Sequence, residues 1–513
     1  MSIPDLAHCD AMSGVRIEIQ VTSGPLAGRR FEFDRQDTWV CGRSTEVQMS
    51  LAGDGAISRQ HFMLEVEPPR VRLTDLGSRN GTYVNNVRFG GTDPAAPGTR
   101  VAANGARTTL LADGDEIAAG ASRMRVRIET ASVTGVVTAR CPLCGSALEA
   151  GEVETLCPAC VEQLKVHPFQ KIRRMLLSVL ERLTGIDHPE LPGFDITGEL
   201  GRGGMARVFR AVNRRTGATV AIKVILPEMA SNPLGLQLFK REIEVTRQLK
   251  HPCIVDLMHP VIGHGACLFI MEFVDGTDLF ELAHRSGGKL PIAQAAPIFL
   301  DVLEGLAYAH RAKVDVVTKD GQRVTAHGIV HRDLKPTNIL VYEAHGRWHG
   351  KVADFGLAKA FGTAGLSGMT SAGSAHGTPA YWPREQLLYF RYLNPPSDVF
   401  SAAAVFYQTL TGVFPRNGVI ELVELCRQQA RQPSIPDFVK LITEQAIVPL
   451  RSRDPTLPPH VCAVIDRALA EPTLAGDEAT LRENLKRVRF PDGAAFLEAL
   501  REALEKDQIG DFR

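Results

Sequence analysis

One stretch of eight residues, from His331 to Asn338, constrains this chain more than any other part of its sequence. It reads His-Arg-Asp-Leu-Lys-Pro-Thr-Asn, and the triplet Asp354-Phe355-Gly356 begins sixteen residues after its last position. Together the two segments supply two acids, one amide and two cations. Phosphoryl transfer needs an acid that orients the attacking hydroxyl, an acid and an amide that hold metal ions, and a cation that offsets charge. The chain is therefore expected to bring the two segments together.

These segments resemble the catalytic loop and the metal-binding turn of protein kinases. By this resemblance Asp333 is the catalytic base that orients the substrate hydroxyl, and Lys335 contacts the transferring phosphate. Asn338 and Asp354 would hold two magnesium ions, which offset the charge of the ATP triphosphate. A lysine two residues after the catalytic acid is the pattern of Ser/Thr-directed kinases. Arg332 is expected to pair with a phosphate on the activation loop.

Further kinase-like motifs follow in the expected order and predict an α+β bilobal kinase domain over residues 193–506. Lys223 lies at strand spacing after a glycine-rich turn and would bind the α- and β-phosphates of ATP. Its expected partner on the next helix is Glu242, with Glu244 as the less favoured candidate. Ala206 stands at the position of the third glycine of the turn. The other predicted nucleotide-binding residues are Gly201, Gly203, Val208 and Ala221, Glu272 and Val274 through backbone bonds to adenine, and Asp278 at the ribose.

The segment at 357–377 is rich in Gly, Ser, Thr and Ala, which is typical of an activation loop that becomes ordered on modification. We hypothesise autophosphorylation at Thr370, Ser371 or Ser374, because a phosphate at any of them could pair with the arginine of the catalytic loop. These three hydroxyl-bearing candidates lie close together in the sequence.

Four residues beyond this loop complete the kinase-like set. Thr378 is expected to bond Asp333, and Asp398 to brace the catalytic loop. Glu385 stands in Pro-Arg-Glu where the family expects Ala-Pro-Glu, and it would pair with Arg489. Three segments look inserted and are expected to be surface excursions: 89–107, 312–327 and 472–486. The segment at 312–327 is expected to contain a hairpin turn.

Residues 13–130 read as short alternating strands separated by polar turns, which predicts an all-β sandwich. Three islands, at 41–43, 57–62 and 76–84, resemble those of the forkhead-associated (FHA) domain, a reader of phosphothreonine. The resemblance implies phosphate binding by Arg43 and Ser58 with help from Arg59, and a bond from Asn80 to the ligand backbone. Two glycines are expected in tight turns and one histidine as a brace of the loops: Gly42, Gly81 and His61.

Residues 139–163 contain two CxxC turns with twelve residues between them. Two such turns close a tetrahedral site without an open position, and the pattern resembles a zinc ribbon with structural zinc. The zinc ligands would be Cys141, Cys144, Cys157 and Cys160. A redox motif is the runner-up, and a rubredoxin-type iron centre uses similar turns. A nucleic-acid module is disfavoured, because no basic, aromatic-rich surface surrounds the turns. Apolar spacing predicts a linker helix over residues 164–192.

Length and composition set the broader limits. A chain of 513 residues exceeds one hydrophobic core, so several domains are expected. Its 58 basic residues balance 58 acidic ones, which gives no global preference for nucleic acid or an anionic membrane. The sequence shows no signal peptide and no uninterrupted apolar stretch long enough for a bilayer. Six cysteines are scattered singly, which favours a soluble protein in a reducing cytoplasm.

We interpret the chain as a Ser/Thr protein kinase that uses ATP and Mg²⁺, carries structural Zn²⁺, and phosphorylates itself and other proteins. Its FHA domain would read phosphothreonine on the chain itself or on partner proteins. The alternative is a pseudokinase scaffold whose main output is phosphopeptide binding. The sequence argues against this alternative because it retains the four side chains that a dead kinase tends to lose, Lys223, Asp333, Asn338 and Asp354.

Overall fold

The computed structural model describes residues 15–33, 37–67, 70–96, 99–103, 106–130, 193–202, 206–225, 243–263, 266–317, 323–355, 378–388, 393–429, 431, 433, 435–474 and 478–510. Several predicted features lie outside these residues: the cysteine turns, the linker helix, Gly203, Glu242, Thr370, Ser371 and Ser374. The chain divides into two compact units. The first comprises Met1–Glu129, Leu234–Asp256 and Val274–Arg513, and the second comprises Thr130–Pro233 and Leu257–Phe273.

The described part of residues 15–130 is all-β, as predicted. Its strands are β1 (Val15–Ser23), β2 (Arg30–Phe33), β3 (Asp37–Gly42), β4 (Met49–Ser50), β5 (Phe62–Glu67), β6 (Arg70–Asp75), β7 (Thr82–Val84), β8 (Val87–Phe89), β9 (Arg100–Val101), β10 (Thr108–Leu111), β11 (Glu116–Ala119) and β12 (Ser122–Thr130). They form a seven-stranded sheet in the order β2-β1-β12-β11-β7-β8-β9 and a five-stranded sheet in the order β10-β6-β5-β3-β4.

Alternation of apolar and polar residues, clearest in β2, produces much of this sandwich. In β2, Phe31 and Phe33 are buried, while Arg30 and Glu32 are exposed. The inward residues of both sheets form one apolar cluster, because successive side chains of a strand point to opposite faces. The predicted loose loop at 89–107 is wrong in part. Its Arg100–Val101 segment pairs in parallel with β8 and extends the larger sheet by an edge strand.

Position 42, at the end of β3, needs a glycine because the backbone packs closely there, and not because it lies in a turn. Its φ is not positive, and a Cβ built there would lie 2.0 Å from the carbonyl oxygen of Arg59. The tight turn predicted at this residue is therefore wrong, because the segment after Ile57 passes directly over the strand end. Gly81 does have a φ of +80°, a region that glycine adopts without steric cost, so the turn predicted there is confirmed.

The second unit contains an antiparallel five-stranded sheet in the order β13-β14-β15-β17-β16. These strands are β13 (Phe194–Arg202), β14 (Ala206–Asn213), β15 (Thr219–Ile225), β16 (Leu257–Gly263) and β17 (Ala266–Glu272). One face forms an apolar cluster that includes Phe209, Ile222 and Leu268. Ala206 begins β14 opposite Ile225 and is buried, so the sheet accommodates the side chain that replaces the third glycine.

The C-terminal part of the first unit is mainly helical. Its helices are α1 (Leu279–Arg285), α2 (Ile292–Arg311), α3 (Arg384–Leu388), α4 (Pro395–Thr411), α5 (Val419–Gln428), α6 (Ile435–Glu444), α7 (Leu450–Arg453), α8 (Pro459–Ala468), α9 (Glu478–Val488) and α10 (Gly493–Lys506). Helices α2 and α4 supply the centre of its core, where Phe299 and Phe406 stack with ring centroids 3.8 Å apart. Phe496 of α10 packs beside them.

Helix α2 is long and apolar enough to cross a membrane by length and composition alone. Within the described residues, however, 67% of its most apolar window is buried inside the protein. Its buried residues run from Ala295 to His310 and belong to the helical core. Such burial is typical of a central core helix, which passes the same test of length and composition.

Two of the remaining predicted insertions have regular structure. The one at 312–327 contains β19 (Lys313–Val317) paired antiparallel with β20 (Arg323–His327), which confirms a hairpin there. The side-chain amide of Gln248 donates to the carbonyl of Asp315 at 3.0 Å and accepts from its N–H at 2.9 Å. The segment at 472–486 is not merely a surface excursion. It forms most of α9, whose Leu481 and Leu485 are buried.

A small sheet carries the loop identified from the sequence. It consists of β18 (Thr277–Asp278), β21 (Ile339–Ala344) and β22 (Arg347–Val352), in that order. A 3-10 turn at Pro336–Asn338 leads directly into β21, and residues 353–355 directly follow β22. The two chemistry-bearing segments are thus the two ends of one hairpin.

Replacing Gly42 by alanine should destabilise the sandwich by at least about 2 kcal/mol, because the new methyl group meets a backbone oxygen that cannot rotate away. Gly55→Ala is the matched control, since a Cβ there has nothing within 4 Å. Native-state hydrogen exchange of the β3 and β5 amides would measure the loss. Equal protection in the two variants would contradict the close-packing explanation.

Candidate active site

A buried carboxylate on α4 holds the loop that contains the predicted catalytic acid. Asp398 lies in the first turn of α4 and is 1% exposed. Its Oδ2 accepts from the backbone N–H of His331 at 2.6 Å, and its Oδ1 accepts from the N–H of Arg332 at 2.9 Å. The ring of His310 lies 3.0 Å from Oδ2. The predicted bracing role of Asp398 is confirmed.

The charge state of this carboxylate follows from its neighbours. Burial alone would raise the pKa of Asp398, but the hydrogen bonds from the His310 ring and the Arg332 amide oppose it, and the pKa lies below its usual value. The Nδ1 atom of His310 accepts from the N–H of Gly493 at 3.0 Å. Its Nε2 must therefore carry the proton that it donates to Asp398.

Two residues of the site adopt left-handed backbone conformations, which are strained for any residue other than glycine. Arg332 has a φ of +71° and Asp354 a φ of +62°. The first is stabilised from both sides, since its N–H donates to Asp398 and its carbonyl accepts from the side-chain amide of Gln386 at 2.5 Å. Strain of this kind persists only where the surroundings over-determine it, and it is common at functional sites.

Asp333, Lys335 and Asn338 come together as the sequence predicted. Lys335 Nζ lies 3.0 Å from Asp333 Oδ2. The Asn338 side-chain nitrogen donates to the backbone carbonyl of Asp333 at 2.8 Å, which leaves its amide oxygen as the atom that can act as a ligand. Asp333 Oδ1 is buried and has no hydrogen-bond partner among the described residues. An acceptor in that position suits a hydroxyl donor from outside the chain.

The segment 353–355 is attached to the same loop. The N–H of Ala353 donates to the Asn338 carbonyl at 2.8 Å. His331 Nδ1 accepts from the Asp333 N–H at 3.2 Å, so its Nε2 donates to the Ala353 carbonyl at 2.8 Å. The ring of Phe355 packs edge-on against that of His331, with centroids 4.7 Å apart. One buried histidine therefore sets the spacing between Asp333 and the acid at 354.

The donor set at this site fits magnesium. Mg²⁺ prefers carboxylate and amide oxygens and usually binds through one or two carboxylates together with substrate phosphates. Asn338 offers an amide oxygen, and Asp354, in the segment bonded to the same loop, offers a carboxylate. These residues are the types and the neighbours that the sequence predicted for metal binding.

The predicted nucleotide-binding residues of the second unit lie on adjacent strands. Lys223 is in β15, opposite Val208 of β14 and Phe269 of β17, so it occupies an interior strand of the sheet. Gly201 lies near the end of β13, where a Cβ would meet nothing within 4 Å. Ala221 is buried in β15, opposite Met271. Glu272 ends β17 opposite Val220.

Asp278 and Val274, both in the first unit, make local contacts. The Asp278 carboxylate caps α1 by accepting from the N–H of Glu281 at 2.9 Å. Burial raises the pKa of this carboxyl, and the amides of Glu281 and Phe280 oppose the shift. The carbonyl of Val274 accepts from the N–H of Gly276 at 3.0 Å. Their contacts to ribose and adenine remain predictions.

Glu385 and Arg489 form the buried ion pair that the sequence predicted. Their side chains are 2% and 0% exposed, and Arg489 donates to both carboxylate oxygens, with Nη2 3.2 Å from Oε2. The hydroxyl of Ser397 also donates to Glu385 Oε1 at 3.0 Å. The unusual Pro-Arg-Glu triplet keeps this anchor. The side chain of Thr378, predicted to bond Asp333, lies outside the described residues.

The loops predicted to bind phosphothreonine meet at one end of the sandwich. The N–H of Arg43 donates to the Ser58 carbonyl at 3.0 Å. His61 is buried, accepts from the N–H of Ser58 at Nδ1 and donates from Nε2 to the Gly81 carbonyl at 3.1 Å, which confirms its bracing role. Burial lowers the pKa of this imidazole, in keeping with the neutral form that these bonds require.

Side chains at this end present cations and neutral donors. Arg43, Arg59 and Asn80 are exposed. The Oγ of Ser58 accepts from the N–H of Arg79 at 3.1 Å, so its own proton stays available for an anion. The Asn80 amide donates to the Ala56 carbonyl at 2.9 Å. Phosphate binding by Arg43, Ser58 and Arg59 and ligand-backbone binding by Asn80 stay predictions with suitable geometry.

Comparison with known proteins identifies both parts. Residues 194–446 match the protein kinase domain family, and residues 39–120 match the FHA domain family. The chain contains a protein kinase domain and an FHA domain. A protein kinase domain implies ATP and Mg²⁺ as cofactors.

Named relatives match the kinase part. A probable serine/threonine-protein kinase of Streptomyces coelicolor is 32% identical over 276 residues, 53% of this chain and 36% of that protein. Serine/threonine-protein kinase PkaA of the same organism is 33% identical over 251 residues, 47% of this chain and 42% of that protein. This chain thus spans less than half of either relative. Among solved structures, the crystal structure of Rad53 1–466 in complex with AMP-PNP matches this chain at 22% identity with a TM-score of 0.41. The match covers 94% of this chain and 100% of the Rad53 chain.

Sequence reasoning missed an organising residue of the FHA domain. Asp75, 1% exposed, accepts from the N–H groups of Gly77 and Ser78 and from the hydroxyls of Ser78 and Thr82. It shapes the loop that carries Asn80. An Asp followed by Leu-Gly-Ser at the end of a strand is an Asx-turn pattern, so a signal for this role was present.

Replacing Glu385 in the kinase domain by alanine should lower the free energy of unfolding by about 3–5 kcal/mol, because it leaves the Arg489 charge buried and unpaired. Glu281→Ala is the matched control, since its pair with Arg285 is largely exposed and is worth less than about 0.5 kcal/mol. Urea unfolding of both variants measures the difference. A loss below 1 kcal/mol at Glu385 would contradict the assignment.

Proposed function

We propose that this protein is a Ser/Thr protein kinase that transfers the γ-phosphate of ATP to Ser and Thr hydroxyls of proteins. The observation that carries the proposal is the arrangement around Asp333. Its Oδ2 is 3.0 Å from Lys335, its backbone is bound by Asn338, and its Oδ1 is an acceptor without a partner among the described residues. Kinase relatives in S. coelicolor support the same activity.

The chemistry follows from these contacts. Asp333 accepts the hydrogen bond of the substrate hydroxyl at Oδ1 and takes its proton as the new O–P bond forms. The bond between the γ-phosphorus and its bridging oxygen breaks, and ADP leaves. Lys335 offsets negative charge on the moving phosphoryl group while it fixes Oδ2. Bound magnesium, held by Asn338 and Asp354, would neutralise the triphosphate.

Asp333→Asn should reduce phosphate transfer at least about 1000-fold, because the amide cannot orient and deprotonate the hydroxyl. The assay follows radiolabelled ATP with magnesium into the chain and into a generic protein substrate. Asp315→Asn, a change of the same kind on the inserted hairpin, is the control and should retain activity. Phosphosite mapping tests whether the label lies at Thr370, Ser371 or Ser374.

An unlabelled wild type, with generic substrates also unlabelled, would contradict the proposal and favour the pseudokinase scaffold. Label in the wild type on other residues would support the kinase activity but contradict the proposed phosphorylation sites in the activation loop. Equal label in wild type and Asp333→Asn would contradict the assignment of the base.

The FHA domain is proposed to bind phosphothreonine on this chain or on partner proteins. Exposed Arg43 and Arg59 supply the cations, and the Ser58 hydroxyl supplies a neutral donor. A cytoplasmic location belongs to the same proposal and rests on cysteine usage. Four of the singly spaced cysteines are free and buried in the described part of the chain, namely Cys41, Cys253, Cys426 and Cys462.

A structural zinc ribbon at residues 139–163 completes the proposal and rests on the donor set of four cysteines. Freshly purified protein should contain one zinc per chain by elemental analysis. Cys157→Ser together with Cys160→Ser should remove it, because two thiolates do not close a tetrahedral site. Cys9→Ser, outside both turns, should keep it. Iron in place of zinc, or no metal at all, would contradict the assignment.

A further inference from the structure

Part of the outer face of one FHA sheet is apolar. In β3, Cys41 points into the sandwich core while Val40 points to the opposite face, and in β5 Phe62 and Met63 divide in the same way. Val40 and Met63 are paired across the two strands and are fully buried. The outer face of an antiparallel sheet usually faces water and carries polar residues. Something must therefore cover these residues.

The cover is the helical lobe of the kinase domain, within the same compact unit. Val40 and Met63 belong to one buried apolar cluster with residues of α6, among them Phe438, Val439 and Ile442. All three of these helical residues are fully buried. The FHA domain and this lobe therefore share a hydrophobic core and do not merely touch at their surfaces.

The shared cluster extends to the segment that follows the activation loop. Ala380 lies in the 3-10 turn Thr378–Tyr381, and Leu387 and Leu388 lie in α3; all three belong to the cluster. The FHA domain is therefore packed against the turn and the helix that follow the predicted activation loop.

Two ion pairs border the shared core, and both involve the phosphothreonine-binding loops. Glu46, three residues after Arg43, lies 4.0 Å from Arg384 at the start of α3. Arg59 lies 3.1 Å from Glu444. The loops that carry Arg43 and Arg59 are direct continuations of β3 and β5, which are the strands that pack on the lobe.

Glu444 is placed where it needs a cation. It is the last residue of α6, a helix with no basic residue in its last turn. The carbonyl end of a helix carries partial negative charge, so a carboxylate there is unfavourable unless a cation offsets both. Arg59 supplies that cation. Its side chain is 61% exposed, however, whereas that of Glu444 is 18% exposed, so the arginine remains reachable from solvent.

We propose that Glu444 competes with a phosphothreonine ligand for Arg59. Glu444 holds the arginine while the FHA domain is packed against α6, and a bound phosphothreonine takes the arginine from it. The inference rests on the proposed phosphothreonine reading by the FHA domain. A phosphate dianion outcompetes a single carboxylate, because charge-assisted bonds strengthen with the charge of the acceptor. Phosphopeptide binding is thereby coupled to the C-terminal end of α6 and to the turn and the helix α3 that share its core.

The test measures binding of a fluorescein-labelled phosphothreonine peptide mixture, degenerate at the flanking positions, to the full-length protein. The unphosphorylated mixture is the reference ligand. Glu444→Gln should tighten binding about two- to fivefold, the range expected from an exposed ion pair. Glu421→Gln, which removes the same charge from the exposed face of α5, should leave the affinity unchanged.

Arg59→Ala completes a double-mutant cycle. It should weaken binding, and Glu444→Gln added to it should produce no further gain, because the competitor then has nothing to hold. A gain of equal size with and without Arg59 would overturn the proposal in favour of simple charge repulsion. Equal affinity of wild type and Glu444→Gln would overturn it while leaving phosphothreonine reading intact. Absence of phosphate-dependent binding in every variant would overturn the proposed FHA function together with this inference.

A ligand-free measurement tests the docking itself. Met63→Ser places a hydroxyl in the shared core and should raise hydrogen exchange in α3 and α6 of the kinase domain as well as in β5. Thr109→Ser, on the exposed edge strand β10, is the control and should leave these helices unchanged. An increase in hydrogen exchange that is restricted to the FHA strands would contradict the shared core.

Discussion

The kinase site depends first on the buried carboxylate of Asp398. Two consecutive backbone N–H groups of the catalytic loop donate to it, and His310 supplies a third donor. These bonds stabilise the left-handed conformation of Arg332, and that conformation turns the next residue, Asp333, towards Lys335. If this acceptor were lost, the loop would have buried donors without partners and a strained residue without compensation.

The FHA domain uses the same physical device on a different fold. A buried carboxylate, that of Asp75, collects backbone and hydroxyl donors from the loop that carries Asn80. Asp54 does likewise for Ala56, Ala121 and Ser122. In both domains the acids that set the loop shapes are buried, while most residues that would face a ligand, though not Asn338, are exposed or half-buried. Function and rigidity are thus assigned to different side chains.

Much of this could be predicted from the sequence because the motifs encode local contacts. The pair Glu385–Arg489 and the brace Asp398 were identified from spacing and family resemblance, despite the altered triplet. The role of Gly42 was predicted wrongly, because its constraint comes from the Arg59 carbonyl, which meets it only in the folded sandwich. The burial of Leu481 and Leu485 in α9 was not predicted for a related reason. The sequence of an insertion between motifs does not show which hydrophobic core its residues join.

The docking of the two domains could not be predicted at all, since a strand pattern shows that both faces are apolar but not what covers the outer one. Val40 and Met63 break the apolar–polar alternation of β3 and β5, and only the folded chain brings them into one cluster with Phe438 and Ile442. This packing has a consequence for recognition. A ligand-binding loop that continues from a docked strand cannot shift independently of the surface beneath it, because packed cores move between discrete arrangements and do not deform continuously. The Arg59–Glu444 contact lies at this boundary, so the arginine that is proposed to bind phosphate is also part of the fold that carries it.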